Sequence, residues 1–220
     1  MKNYKNLMSL SKLKPFLVLT FLLTLFIFIS AISYVDAVSE DIASSVFRLH
    51  VIANSDSKED QALKLKVRDE LLSYMNTLSQ NATSKQEVIE LAKEHKETLK
   101  QIALTTIHEN GFDYDVQIEI GVSDFPTKYY GDIALPAGTY DALKVKIGES
   151  QGQNWWCVMF PPLCFVDVSS GIVPDSSKQE LQENLNDEEY DLISKTEEKE
   201  EISFKFKLIE FFQNLKLGLK

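Results

Sequence analysis

The residues best suited to covalent chemistry lie in one short segment, 152–165, which reads GQNWWCVMFPPLCF and holds both cysteines and both tryptophans of the chain. A cysteine nucleophile needs a general base within hydrogen-bond reach, and His50 is a candidate that the fold would have to bring there. The bulky apolar neighbours of Cys157 and Cys164 raise the pKa of a thiol and lower its reactivity. No glycine-rich oxyanion turn flanks either cysteine. We therefore expect no catalytic residue in this segment.

The spacing of the two cysteines leaves two structural interpretations open. Pro161 and Pro162 lie near the middle of the segment between Cys157 and Cys164 and can bring its ends together. A disulfide across such a tight turn would contribute about 2–3 kcal/mol of stability. Two reduced, buried thiols that act as small apolar side chains are the alternative. The mass shift on alkylation, with and without reductant, distinguishes the two.

Other catalytic or metal-binding patterns are missing from the sequence. His50, His95 and His108 form no pair with a metal-ligand spacing, and the cysteines form no Cys-x₂-Cys pair. A phosphate-binding loop, a dinucleotide fingerprint and a serine-hydrolase elbow are also absent. We therefore predict that the chain is not an enzyme and has no metal site, no cofactor and no small-molecule substrate.

The two tryptophans favour a role in binding a partner. Tryptophan is a common anchor of protein interfaces. In a strand, Trp155 and Trp156 point to opposite faces, so we expect one in the core and the other free for a second role. The polar turn at Asn54, Ser55 and Asp56 has residues that favour turns and helix caps, which explains most of its composition.

Residues 38–173 carry the pattern of one α+β domain. Alternating strands and periodic helices occur in the order β-α-α-β-β-β, which predicts a small, mainly antiparallel sheet with two helices packed on one face. The first helix has its apolar stripe at Leu63, Val67, Leu71 and Met75. The elements are expected at 46–54, 57–78, 84–110, 114–122, 139–148 and 155–160.

Residues 1–37 have the composition of an export segment. Four lysines, the last of them Lys14, precede an uncharged apolar stretch whose length lies between that of a signal sequence and that of a membrane anchor. Small residues at Val35-Asp36-Ala37 offer a cleavage position. The basic flank should stay in the cytoplasm, which places the domain outside as a secreted or anchored protein.

The C-terminal part of the chain differs from the domain in its charge. The net charge of −10 argues against a nucleic-acid partner, because phosphate neutralisation needs a basic surface. Residues 174–201 are so acidic and so poor in apolar side chains that we predict a disordered linker. Residues 202–220 read as a basic amphipathic helix, which either lies on a membrane surface or folds back on the domain.

Two long segments carry a resemblance to a known family. Residues 48–72 read RLHVIANSDSKEDQALKLKVRDELL, and residues 135–165 read LPAGTYDALKVKIGESQGQNWWCVMFPPLCF. With the export segment, they resemble stage II sporulation protein R of endospore-forming bacteria. The resemblance implies an intercellular signal that is exported from the forespore into the space between the two surrounding membranes. There it would activate a membrane-embedded aspartic-type protease, which processes the precursor of the early mother-cell sigma factor.

The matching segments also suggest which residues contact that protease. We select those with a high density of polar or aromatic side chains: Asn54, Ser55, Asp56, Arg68, Asp69, Trp155 and Trp156. Two other interpretations stay open at this point. One is an exported hydrolase or oxidoreductase that uses Cys157 and Cys164, and the other is a cell-envelope scaffold held by its two membrane-seeking ends.

Overall fold

The computed structural model describes residues 4–164, 173 and 175–194. The chain divides into two compact units, Met1–Val38 and Ser39–Lys220. A long helix, α1 (Tyr4–Ser45), begins in the first unit and ends in the second. Its segment Leu13–Ser30 is long and apolar enough to cross a membrane. This helix is compatible with the predicted signal sequence or anchor.

The second unit contains a four-stranded sheet, a small hairpin and five further helices among the described residues. In chain order, three of these helices come between the first and second strands, and the other two follow the last strand. The elements are β1 (Phe47–Ile52), α2 (Lys58–Leu78), α3 (Lys85–Glu94), α4 (Lys96–Glu109), β2 (Val116–Phe125), β3 (Lys128–Tyr130), β4 (Ile133–Leu135), β5 (Gly138–Ile147), β6 (Asn154–Phe160), α5 (Asp175–Asn184) and α6 (Asp187–Ser194).

The sheet has the strand order β2-β5-β1-β6. Strand β2 pairs antiparallel with β5, and β1 pairs antiparallel with β6, but β1 and β5 run parallel. Parallel neighbours need a long crossover connection, and helices α2–α4 with β2 provide it. The predicted α+β class is confirmed, and the sheet is mixed rather than strictly antiparallel.

The main core lies between this sheet and helices α2–α4. Strand β1 alternates, so Phe47, Leu49 and Val51 face the helices and are fully buried. Helix α2 begins at a cap, where the Ser57 hydroxyl accepts a hydrogen bond from the backbone N–H of Asp60. The predicted second helix is divided into α3 and α4. His95 ends one and begins the other, and its Nδ1 lies 2.7 Å from the Tyr74 hydroxyl.

The prediction of a disordered linker is wrong for residues 175–194, which form α5 and α6. Leu181, Leu185 and Ile193 of this segment are buried, and their burial offsets the entropy cost of ordering the chain. A capping box starts α6: Asn186 Oδ1 accepts from the N–H of Glu189, whose carboxylate accepts from the N–H of Asn186. Residues 195–201 of the linker and the predicted helix 202–220 lie outside the described residues.

Candidate functional site

The two cysteines are joined in a disulfide. The Cα atoms of Cys157 and Cys164 lie 5.1 Å apart. Cys157 is buried in the main core in the middle of β6, and the N–H of Leu163 donates to the carbonyl of Val158 in the turn that follows. A sulfur atom in a disulfide is not a nucleophile, so this arrangement provides no thiolate for the cysteine-dependent hydrolase considered above.

The predicted polar residues after β1 converge on a buried carboxylate that the sequence did not single out. Asp60 is 4 % exposed, and its Oδ2 accepts hydrogen bonds from Asn54 Nδ2 at 2.8 Å and Ser55 Oγ at 2.6 Å. Burial alone would raise the pKa of Asp60. Hydrogen bonds with neighbouring side chains, first among them those donated by Ser55 and Asn54, outweigh burial and hold the pKa below its usual value.

The same turn is tied to the loop between β5 and β6. Asn54 Oδ1 accepts from the backbone N–H of Glu149 at 2.9 Å, and Asp56 Oδ1 accepts from that of Gln153 at 2.7 Å. Gly148 makes this contact possible: its φ is +54°, and a Cβ atom there would lie 2.3 Å from Asn54 Oδ1. The side chains of Asn54, Ser55 and Asp56 therefore have a structural use. Of the three, Asp56 is exposed.

Arg68, Asp69 and Trp155 form a second group on the helix-covered side of the sheet. The Arg68 guanidinium lies 4.2 Å from the centroid of the Trp155 ring, which is within cation–π range. Its Nη2 is 2.6 Å from Asp69 Oδ1, and Asp69 is the more exposed partner of this ion pair. Helix α2 thus places a charged pair beside a half-buried indole.

Trp156 lies on the opposite face, as strand geometry requires. The Lys128 Nζ lies 4.0 Å from the centroid of its ring, and the His50 ring stacks on it at 5.5 Å. Both tryptophans are half-buried. Trp155 packs against the main core, as expected for one of the two, and Trp156 lies on the other face. The structure therefore places the seven predicted contact residues in three groups: the polar turn, the group of Arg68, Asp69 and Trp155, and Trp156.

Sequence reasoning missed the residues that surround Trp156. Arg48 is fully buried although it lies on the strand face opposite the main core. Lys128 comes from β3, which lies in a segment without clear strand periodicity. The alternation in β1 is a signal that Arg48 and His50 share one face, but alternation cannot show that another element covers that face.

A metal centre has no support in the part of the chain that the structure describes, since no group of three or more His, Cys, Asp or Glu side chains there could hold an ion. What the described residues offer instead is a set of polar and aromatic surfaces on a disulfide-tied sheet. Such surfaces are suited to binding a protein partner.

Comparisons with known proteins agree on one family. The model of the family described as stage II sporulation protein R matches residues 43–170. A curated relative, stage II sporulation protein R from Bacillus subtilis (strain 168), is 35 % identical over 185 residues, which cover 79 % of this chain and 83 % of the relative. No solved structure matches the chain. The family match contains all seven predicted contact residues and both cysteines, whereas α5 and α6 lie outside it.

Proposed function

The chain belongs to the stage II sporulation protein R family, and from this premise we propose that it is the exported signal that activates a membrane-embedded protease during endospore formation. The family match over residues 43–170 is the observation that carries the proposal. The protease would be of the aspartic type and would process the precursor of the early mother-cell sigma factor.

Two features of the chain support an exported location. The apolar segment Leu13–Ser30 provides a route out of the cytoplasm, either as a signal sequence or as an anchor. The disulfide between Cys157 and Cys164 suits an oxidising compartment, because cytosolic thiols are kept reduced. We place the domain in the space between the two membranes that surround the forespore.

The proposed mechanism is differential binding. A ligand shifts a two-state equilibrium only by as much as its affinity differs between the two states. The domain would therefore contact the active arrangement of the protease, for example a dimer, more favourably than the inactive one. This mechanism requires a rigid binding surface on the domain. The hydrogen bonds around Asp60 and the disulfide supply rigidity at the two ends of the β1–β6 pair.

Co-expression in a host that does not sporulate tests this proposal. The full chain, the candidate protease and the sigma-factor precursor are expressed together, and conversion of the precursor is followed by immunoblot. We expect conversion only when all three are present. Conversion that does not need this chain would overturn the proposal.

The contact residues are tested in the same assay. We expect that Trp155→Ala or Trp156→Ala, in a protein that still folds, reduces conversion of the precursor. Glu59→Ala is a matched surface control, because Glu59 is exposed in the first turn of α2. Full conversion with both tryptophan variants would remove these positions from the interface.

A further inference from the structure

The face of the sheet opposite helices α2–α4 carries a row of basic side chains. In β1, Arg48 and His50 point to this face. His50 is paired across the sheet with Lys144 of β5 on one side and Trp156 of β6 on the other. Lys128 of β3 covers the Trp156 ring. We call these five residues, Arg48, His50, Lys128, Lys144 and Trp156, the basic face.

Arg48 is a buried cation without a counter-charge among the described residues. It is fully buried, and its guanidinium carbon lies 4.0 Å and 4.6 Å from the ring centroids of Phe125 and Tyr140. Its Nη2 donates to the Tyr130 hydroxyl at 2.8 Å. Burial raises the pKa of Tyr130 and Tyr140, so both phenols stay protonated and leave the charge of Arg48 uncompensated.

Several polar atoms of the basic face lack hydrogen-bond partners. They are Arg48 Nε and Nη1, Trp156 Nε1 and His50 Nδ1, all buried. The arginine and tryptophan atoms are donors only. Since buried donors are almost always satisfied in native proteins, such a concentration requires an explanation. A carboxylate, which only accepts hydrogen bonds when ionised, is the chemical group that complements such a concentration of donors and positive charge.

A carboxylate bound at this face would change the protonation of His50. Burial lowers its pKa, and the charges of Lys144, Arg48 and Lys146 lower it further, against the opposing effect of the hydrogen bond to Asn154. His50 Nε2 lies 2.7 Å from Asn154 Oδ1, so Nδ1 of the neutral ring has no proton. Protonation would turn Nδ1 into a further donor, and a bound anion would favour that protonation.

The carboxylate that β2 adds to this face is already paired. Glu119 of β2 also points to this side, but it is paired with Lys146 at 2.6 Å. Burial lowers the pKa of Lys128, and the nearby charge of Arg48 adds to that effect. The face is therefore basic on a chain whose net charge is −10. A local patch of opposite sign to the whole protein steers acidic partners to that patch and away from the rest of the surface.

We propose that the basic face binds an acidic segment of the partner protein, with a carboxylate on the Lys128–Trp156 rim and within the field of Arg48. This inference rests on the proposed signalling function, because it identifies the surface and the chemistry of the partner. Lys128, Lys144 and Trp156 are half-buried and form the accessible rim. Arg48 lies behind Tyr130, so its charge attracts a carboxylate bound at this rim without a direct contact.

A titration with a capped hexaglutamate peptide tests the site. The peptide is added to the full chain in detergent, with Trp155→Phe in all samples so that Trp156 is the fluorophore. We expect saturable binding that changes Trp156 fluorescence, weakens with salt and raises the pKa of His50 measured by NMR. Absence of binding at low salt would overturn the proposal. Glutarate binding as tightly as the peptide would also overturn it, because a small dicarboxylate would then be the occupant.

Two double variants test whether binding depends on this site, and both leave the buried Arg48 unchanged. We expect Lys128→Gln with Lys144→Gln to weaken peptide binding about tenfold, since each exposed charge pair contributes modestly. The matched control, Lys58→Gln with Lys93→Gln, removes the same charge from exposed positions on α2 and α3 and should change binding less than about twofold. Equal losses in the two double variants would show that only net charge matters and would contradict the site.

The chain's own acidic residues are a competing occupant. Glu197, Glu198, Glu200 and Glu201 are replaced by Gln in the full chain. Peptide binding should then be unchanged, and binding that becomes more than about tenfold tighter would show that the face is occupied in cis.

The co-expression assay separates failure of this inference from failure of the proposed function. If the Lys128/Lys144 variant loses peptide binding but still supports full conversion of the precursor, the face is not the partner site and the signalling function stands. If the unmodified chain binds peptide but never supports conversion, the signalling function fails and the acidic-segment site remains.

Discussion

The buried carboxylate of Asp60 gives the sharpest prediction about stability. Replacing Asp60 with Ala removes the acceptor for Asn54 Nδ2 and Ser55 Oγ and leaves both donors unsatisfied. A hydrogen bond to a charged group contributes about 1.5–3 kcal/mol, and two are lost. Because Asn54 and Ser55 are half-buried, water replaces part of the loss, so we expect about 2–4 kcal/mol of destabilisation.

The assay is equilibrium urea unfolding of the full chain in detergent, followed by tryptophan fluorescence. Glu59→Ala is the control, because Glu59 is the exposed neighbour in the same helical turn and should cost less than about 0.5 kcal/mol. Destabilisation by Asp60→Ala no greater than that of Glu59→Ala would refute the reasoning.

The contribution of Asp60 to the free energy of unfolding decreases as the pH falls. The folded-state pKa of Asp60 is lowered, so the unfolded state binds a proton more readily than the folded state. The contribution of Asp60 is therefore complete above the unfolded pKa of about 3.9 and is lost as the pH falls through the lower folded value. The stability difference between the parent chain and Asp60→Ala should be constant near neutral pH and shrink in acid. A difference that grows on acidification would contradict this assignment.

Three further predictions concern the disulfide, the Arg68–Trp155 pair and the tight turn at Gly148. Cys157→Ser with Cys164→Ser should lower the free energy of unfolding by about 2–3 kcal/mol. The fraction that folds should still support conversion of the precursor. Loss of conversion by a folded variant would favour a cysteine-dependent function. Trp155→Ala should increase the mobility of Arg68, seen as narrower NMR signals of its side chain, and unchanged signals would show that the stacking is unimportant. Gly148→Ala should destabilise the domain by more than about 1 kcal/mol in urea unfolding, and a neutral result would contradict the close approach described above.

Local pattern was sufficient for much of the fold. Alternation in β1 and β5 and the helical stripe of α2 predicted those elements, because each depends on burial of one face. The Ser57 cap was likewise visible from residue type. Pairing of β1 with β5 was not predictable in this way, since the period of a strand does not identify its neighbour in the sheet.

The predictions that failed share one cause, which is a contact between residues that are distant in the sequence. His95 was treated as part of one helix, yet the helix divides there, where its ring meets Tyr74 of α2. The segment of helices α5 and α6 looks disordered by composition, yet its Leu181, Leu185 and Ile193 are buried. Arg48 reads as an outward strand residue, and the structure buries it under Tyr130. Tertiary contacts of this kind override local preference.

The opposite orientation of the two tryptophans followed from the strand pattern. The grouping of Arg68, Asp69 and Trp155 did not, because it depends on how helix α2 packs on the sheet. Their role in binding the protease stays a prediction. The basic face could not have been found, because its defining feature is a buried cation without a carboxylate, which only three-dimensional neighbours reveal.

Conversion of the sigma-factor precursor is the most direct test of the central claim that this chain is an exported signal. The full chain and a form that lacks residues 2–37 are each co-expressed with the membrane-embedded protease and the precursor in a non-sporulating host. The account predicts conversion with the full chain and loss of conversion when the export segment is missing, although the protein is still made. No conversion with the full chain, or equal conversion in its absence, would contradict the account.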